Sequence, residues 1–209
     1  MTNINRLISD RIDSPTSVGW WYDEVVKYSA EYYNDDGVYT RDEWTDASDI
    51  GKMFDGKVLS WDEYLRYEDR YANVAKEIME KSGCKMMTFL TFNSDSFILK
   101  CVQWGLENMN EEIKETSERM VDLLFPDLKN CSRISIEKAL CVLRLSLRNI
   151  MPDAFIINLK HDVQIDVGWD YYMHVHCPLA EHIKEAIVYR HGLFLNPRGD
   201  YSKRNEVSY

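Results

Sequence analysis

Apolar and polar residues alternate strictly over positions 163–177 of the chain. One set of alternate positions is apolar or aromatic: Val163, Ile165, Val167, Trp169, Tyr171, Met173 and Val175. The other set is largely polar: Gln164, Asp166, Asp170, Tyr172, His174 and His176. A period of two is typical of a half-buried antiparallel strand. Because a continuous strand of this length would span about 50 Å, we expect a bulge or bend at Gly168.

A different period, with apolar residues three or four positions apart, predicts helices elsewhere in the chain. The clearest helix begins at Ser60, where S-W-D-E forms a capping box of Ser60 with Glu63, and it stops at Gly83. Further helices are expected over residues 20–33, in a long segment that ends at Phe125, over 136–149 and over 179–189. We assign to the core Leu65, Tyr71, Leu140, Leu143, Leu147, Trp169, Tyr171 and Met173.

Two hairpins are predicted between these helices. Residues 85–92 and 97–103 flank the turn-like sequence N-S-D-S, and residues 155–159 and 163–177 flank a turn at His161 and Asp162. Tight hairpins make antiparallel sheets, so the order of elements predicts an α+β fold with a helical N-terminal half. We expect a single domain over residues 1–198 and a flexible polar tail over 199–209.

The net charge of −10 is concentrated in the first part of the chain. Residues 1–80 hold 18 acidic and 9 basic side chains, whereas residues 81–209 hold 17 and 16. Binding of nucleic acid through its phosphates requires the opposite sign, so nucleic acid is not an expected partner. An acidic surface rich in Trp and Tyr suits a basic protein partner. The alternative is that the acidic residues only form the solvated faces of helices.

The sequence also indicates where the protein resides. The first residues, MTNINRLISDRIDSP, lack the apolar region of a secretory signal, and no window resembles a membrane span. The five cysteines form no C-x-x-C pair. Free thiols of this kind are typical of a reducing compartment, so we expect a cytoplasmic protein.

The histidine pair His174 and His176 raises the possibility of a metal site. On one strand the two side chains would share a face about 6.6 Å apart, while Asp170 would lie about 13 Å from His174, too far to be a third ligand. Only His182, Cys177 or a remote residue could complete the site. A metal-dependent enzyme that uses His174 and His176 is therefore an alternative rather than the main hypothesis.

Other catalytic or cofactor-binding motifs are missing from the sequence. It contains no G-x-S-x-G, phosphate loop, G-x-G-x-x-G or H-E-x-x-H. The acidic loops around Gly37 and Gly56 lack the first ligand of a calcium loop, since Tyr32 and Gly51 occupy that position. We expect no catalytic residue, no metal and no cofactor.

Three stretches carry a recognisable pattern. They are WTDASDIGKMFDGKVLSWDEYLRYEDRYANVAKEIME (44–80), LRLSLRNIM (143–151) and VGWDYYMHV (167–175). The chain resembles in them a group of bacterial immunity proteins that accompany contact-dependent growth inhibition and other polymorphic toxins. It departs from the pattern of that group at Ser60, Asp62, Trp169, His174 and Val175. The departure at His174 is either a contact specific to one partner or drift.

The resemblance implies a small cytoplasmic protein that binds one toxin domain and blocks its active site. Nuclease toxins bind phosphate and are basic, which agrees with the acidic N-terminal part of this chain. The expected partner is a basic, nuclease-like toxin domain. The alternative is that the chain is an acidic adaptor that binds another basic partner. The expected contact residues are Asp42, Glu43, Trp44, Asp49, Asp55 and Asp62, with Asp170, Tyr172 and His174 as a second patch. Trp44 is the expected anchor.

Overall fold

The computed structural model describes residues 23–32, 40, 42–125, 127–168 and 171–196. Within these residues the helices are α1 (Trp61–Lys81), α2 (Asp95–Glu107), α3 (Glu111–Leu124), α4 (Ile136–Leu147) and α5 (Glu181–Arg190). The strands are β1 (Asp23–Val26), β2 (Met53–Phe54), β3 (Lys57–Val58), β4 (Met86–Thr91), β5 (Arg133–Ser135), β6 (Ala154–Asn158), β7 (Val163–Val167), β8 (Met173–His176) and β9 (Phe194–Leu195). Short 3₁₀ helices cover Ala30–Tyr32 and Ala47–Asp49.

Seven of the strands form one sheet with the order β5-β4-β6-β7-β8-β1-β9, in which neighbouring strands pair antiparallel. Strands β2 and β3 make a separate hairpin. Alternate residues of the sheet, among them Phe89, Ile156 and Ile165, are buried in one core cluster with residues from all five helices. The predicted α+β fold with antiparallel pairing is confirmed.

The opposite face of the sheet, here called the outer face, carries two rows of cross-strand neighbours. One row runs Arg133, Thr88, Ile157, Gln164 and His176. The other runs Leu90, Phe155, Asp166, His174 and Glu24. The outer face is therefore basic and apolar near β5 and rich in acidic and histidine side chains near β1.

Local capping explains why α1 begins at the predicted residue. The backbone N–H of Glu63 donates to Ser60 Oγ at 3.2 Å, and Gly83 after the helix adopts a left-handed φ of 80°. No described helix is long and apolar enough to cross a membrane.

A helix was predicted over residues 20–33, and this prediction is wrong for residues 23–26. Residues 23–26 are strand β1, in which Glu24 pairs with His174 and Val25 pairs with both Met173 and Leu195. The β-branched Val25 and Val26 favour a strand, and pairing on both sides outweighs the helical spacing of the aromatic residues.

The predicted first hairpin is half wrong, because residues 97–103 lie in helix α2. Ser94 caps this helix by accepting from the N–H of Phe97 at 3.3 Å, so N-S-D-S is a helix start and not a hairpin turn. The strand over 85–92 is present as β4, and its partners are β5 and β6.

The second hairpin is present as β6 and β7, but the segment 163–177 turns back on itself after Gly168. The N–H of Gly168 donates to the carbonyl of Tyr172 at 2.7 Å, and Val167 pairs with Met173. The expected bend is thus a full reversal between β7 and β8.

The core assignment is confirmed for five of its residues. Buried residues from that list are Tyr71, Leu143, Leu147, Tyr171 and Met173. Leu65 and Leu140 are half-buried, and Trp169 lies outside the described residues, as do the residues of the expected tail.

Candidate functional site

Three of the expected contact residues, Asp42, Trp44 and Asp55, line one open groove of about 330 Å³, together with Glu63. We call this the acidic groove. Its complete described lining is Tyr28, Asp42, Trp44, Phe54, Asp55, Lys57, Val58, Leu59 and Glu63. Carboxylates therefore come to one place from three separate parts of the chain: the segment before the 3₁₀ helix Ala47–Asp49, the β2–β3 hairpin and the first turn of α1.

The hairpin owes its shape to the sequence Asp55-Gly56. Both residues adopt left-handed φ values, 47° and 76°, as a tight two-residue hairpin turn requires. This turn presents the carboxylate of Asp55 at the surface and leaves Met53 and Val58 on the flanking strands 64% and 54% exposed. The sequence Asp55-Gly56 therefore gives the hairpin an acidic tip with two exposed apolar neighbours.

The first turn of α1 adds Asp62 and Glu63 beside the hairpin. Asp62 is exposed, and both carboxylates lie at the helix N-terminus, where the helix dipole stabilises negative charge. Asp62 was an expected contact residue and lies next in sequence to a lining residue of the acidic groove.

Glu43 and Asp49 have structural partners. Glu43 pairs with the buried ammonium of Lys27 at 3.1 Å and accepts a hydrogen bond from Tyr172 Oη at 3.3 Å. Asp49 accepts from the N–H of Thr45 and from Lys52 Nζ, both at 2.8 Å. Burial would raise the pKa of Asp49, but these hydrogen bonds outweigh it and lower the pKa. Both carboxylates organise the loop before the hairpin.

Trp44 is a core residue and not an exposed anchor, so that expectation is wrong. Only 3% of the residue is exposed, and its ring lies 4.8 Å from that of Tyr171 and 5.5 Å from that of Tyr64. The ammonium of Lys27 lies 3.6 Å from the centre of the indole and donates to the carbonyl of Trp44. The position is closed off by aromatic packing and a cation–π contact.

The second expected patch consists of Asp170, Tyr172 and His174. Asp170 lies outside the described residues. His174 Nδ1 lies 2.8 Å from Asp166 Oδ1, and its Nε2 lies 3.6 Å from Glu24 Oε1. Burial lowers the pKa of His174, but hydrogen bonds and charge from Asp166 and Glu24 raise it to about 10. The imidazolium is therefore held between two carboxylates on neighbouring strands.

This arrangement leaves the histidine pair poorly suited to metal. A metal ligand must be a neutral imidazole with a free ring nitrogen, whereas both nitrogens of His174 face carboxylates. His176 faces Asp162 instead, with Nε2 3.1 Å from Oδ2. Among the described residues, no group of three or more His, Cys, Asp or Glu side chains is placed to hold a metal ion.

A buried ionic network joins α1 and α4, and sequence reasoning did not identify it. Arg148 donates twice to Glu68, and Arg144 donates to both Glu68 and Asp69. Arg148 also donates to Thr116 Oγ1 at 2.7 Å and thereby reaches α3. The indication in the sequence was the presence of charged residues directly beside the apolar stripes of two helices.

Helix α2 carries an exposed apolar patch of Phe97 and Trp104, which lie seven positions apart on one face, and the hairpin prediction concealed it. Trp104 is 66% exposed, and Phe97 and Leu99 are each about half exposed. Trp104 is thus exposed at the surface, in contrast to Trp44.

Comparison of the chain with protein-family models, with curated proteins and with solved structures found no match.

Proposed function

We propose that this chain is an immunity protein of the bacterial cytoplasm, which binds a cognate toxin domain and neutralises it by covering a basic active-site cleft. The observation that carries the proposal is the acidic groove, where Asp42, Asp55 and Glu63 meet beside exposed apolar side chains. The toxin domain is expected to be a nuclease, since such enzymes hold phosphates in basic clefts.

Electrostatics supports this choice of partner. Residues 42–63 hold seven acidic side chains against two basic ones. A field of this sign accelerates encounter with a basic surface and opposes encounter with nucleic acid. In the complex, Asp42 and Asp55 take the positions that substrate phosphates would otherwise occupy.

The apolar part of the contact comes from the hairpin rather than from Trp44. Met53 and Val58 flank the Asp55-Gly56 turn and are both more than half exposed. Interfaces combine a few apolar side chains with surrounding charge, and a methionine adapts its shape to the partner. The hairpin is held in place because Leu59 exchanges backbone hydrogen bonds with Gly51 and Lys52, each at 2.9 Å.

The resemblance to immunity proteins supports the proposal in a second way. Its three stretches contribute the residues that pack together inside the molecule: Trp44, Tyr64, Glu68, Arg144, Arg148 and Tyr171. Motifs shared within a group of binders are expected to maintain the fold, because each member must vary its surface to match its own partner. Most of the acidic groove lies within the first stretch, 44–80, because only Tyr28 and Asp42 of its described lining come from outside it.

Co-expression tests the proposed function directly. The chain is produced together with the C-terminal domain of the protein encoded immediately upstream, in cells that this domain kills on its own. We expect survival, a stoichiometric complex of the two purified proteins, and loss of nuclease activity as the chain is titrated in. Death of the co-expressing cells despite soluble production of the chain would contradict the proposal.

A further inference from the structure

The outer face of the sheet has a second groove. It lies at the end opposite to His174, Asp166 and Glu24, which we call the His174 cluster. It is formed by β4, β5 and β6 and by the turn after β6, and it encloses about 790 Å³. This volume falls within the range of about 300–1,000 Å³ that is usual for small-molecule sites. We call it the basic groove.

The charges of the basic groove have the opposite sign to that of the whole chain. Lys85, Arg133 and Lys160 line it, whereas no Asp or Glu occurs in the part of its lining that the structure describes. All three cations are exposed. Among the described residues, none of them has an ion pair with a carboxylate. In a chain of net charge −10, this concentration of unpaired cations favours an anion.

The floor between these cations is apolar. It is made by alternate residues of β4 and by its neighbour β6, namely Met86, Leu90 and Ile157, and Leu159 adds a 42% exposed side chain at the edge. Thr88 pairs with both Arg133 and Ile157, so the cation and the apolar floor lie on the same face of the sheet. The groove therefore offers cationic side chains around an apolar floor.

The turn that carries Lys160 is held rigidly. Asn158 donates from Nδ2 to the carbonyl of Met86 at 2.7 Å and accepts from the N–H of His161 at 3.0 Å. The imidazole of His161 packs against Gly83, where an added Cβ would lie 3.3 Å from its Cε1. Fixed turn geometry keeps Lys160 at the rim of the groove, and a preorganised rim lowers the cost of binding.

We propose that the basic groove binds an amphipathic anion, in which a carboxylate or phosphate head group is attached to an apolar chain. The head group is held by Lys85, Arg133 and Lys160, and the chain lies over Met86, Leu90 and Ile157. A nucleotide fits less well, because the described lining contains no Phe, Tyr or Trp on which a base could stack. This inference does not rest on the proposed immunity function.

Titration of the full chain with four C12 amphiphiles, each below its micelle concentration, tests the inference. Dodecanoate and dodecyl phosphate are the anionic probes, and dodecyltrimethylammonium and dodecyl maltoside are the cationic and neutral controls. We expect calorimetric binding of an anionic probe at least tenfold tighter than of either control. Binding of only one anionic probe would identify the head group, whereas equal or absent binding of all four would overturn the proposal.

A second readout uses Cys131, an exposed cysteine in the lining of the basic groove. The bound anion should slow alkylation of Cys131 at least fivefold, while the rate at the half-buried Cys101 on α2 stays unchanged. Mass spectrometry of the peptides measures both rates. Equal effects on both thiols would mean nonspecific detergent binding and would overturn the proposal.

Charge reversal then assigns the residues. The variants Arg133→Glu and Lys85→Glu should each weaken binding of the anion at least tenfold. Lys76→Glu, an exposed lysine on α1 outside the groove, is the matched control and should leave the affinity unchanged. Thermal unfolding of each variant checks that the fold is intact, and retained affinity in the Arg133→Glu and Lys85→Glu variants would contradict the assignment.

Discussion

Arg148 and Glu68 form a bidentate ion pair inside the protein, although 80 residues separate them in the sequence. Arg148 Nε lies 2.7 Å from Glu68 Oε2, and Nη2 lies 2.8 Å from Oε1. The remaining Nη1 donates to Thr116 and Ser117, so each nitrogen of the guanidinium donates a hydrogen bond. The pair connects α1 with α4, and its satisfaction explains how two charges are tolerated in the core.

Removal of one partner should show how much stability is lost when the other charge is buried alone. Glu68→Gln removes the negative charge and leaves Arg148 buried, so we expect the free energy of unfolding to fall by about 3–5 kcal/mol. Urea denaturation followed by circular dichroism measures it. The exposed pair of Glu115 and Arg119 on α3 is the control, and Glu115→Gln should change stability by less than about 0.5 kcal/mol. Similar small effects at both sites would contradict the structural role of Glu68.

The His174 cluster should make stability depend on pH. The pKa of His174 is raised from 6.5 to about 10. The stabilisation from the charged imidazole is therefore complete below about pH 6.5 and is lost as the pH rises through about 10. Allowing for solvent screening of a partly exposed side chain, the loss is on the order of 1–2 kcal/mol. Urea unfolding at pH 7 and pH 10 measures it in the native chain and in His174→Gln, which should lack this component.

The matched control for this measurement is His182→Gln, at an exposed position of α5. This variant should keep the full pH-dependent difference of the native chain. A pH dependence that is identical in native protein and His174→Gln would show that the carboxylates do not hold the imidazolium.

Two tryptophans distinguish the core from the surface. Trp44→Ala removes a side chain that is 3% exposed, so it should lower the free energy of unfolding by about 3–5 kcal/mol. Trp104→Ala removes one that is 66% exposed and should change stability by less than about 0.5 kcal/mol. Thermal and urea unfolding of both variants test this, and the reverse order of effects would place Trp44 at the surface.

The acidic groove should control association if the proposed function is right. Asp42→Lys combined with Asp55→Lys reverses two exposed charges, so the association rate with the toxin domain should fall at least tenfold at low salt. Stability should fall by about 1–2 kcal/mol, because Lys replaces Asp at the left-handed φ of position 55, whereas the exposed position 42 adds little. Stopped-flow or surface-binding kinetics measure the rate.

Two other variants localise the interface. Glu115→Lys reverses an exposed charge on α3 outside the groove and should have a smaller effect on the rate. Trp104→Ala tests the apolar patch of α2 as a rival contact surface. If the Trp104 variant weakens the complex and the double reversal does not, the acidic groove is the wrong surface while the immunity function still stands.

Local patterns predicted those parts of the fold that depend on neighbours in sequence. The pattern of Ser60 and Glu63 located the start of α1, and alternation over 163–177 located β7 and β8. The failures occurred where short-range patterns were ambiguous. Ser94 suits a hairpin turn as well as a helix N-cap, and the spacing of aromatic residues after Trp20 suits a helix although residues 23–26 pair in the sheet.

The candidate site was likewise predictable only in the features that depend on local sequence. Exposure of Asp42, Asp55 and Asp62 was predictable, since carboxylates in polar stretches and turns usually stay in water. Their convergence with Glu63 on one groove was not, because it depends on how the hairpin packs against α1. The basic groove was equally hidden, since Lys85, Arg133 and Lys160 come together only through pairing of β4 with β5 and β6.

The sequence by itself determined the α+β class, the acidic character and five of the eight core residues assigned from it, because side-chain polarity and period act through near neighbours. Only the tertiary structure decided which polar and aromatic residues are buried and which are exposed. Trp44 became core and not anchor because Lys27, Tyr64 and Tyr171 close around it. Glu68 and Arg148 became a buried pair because α1 and α4 pack together. Long-range contacts of this kind leave no period in the sequence.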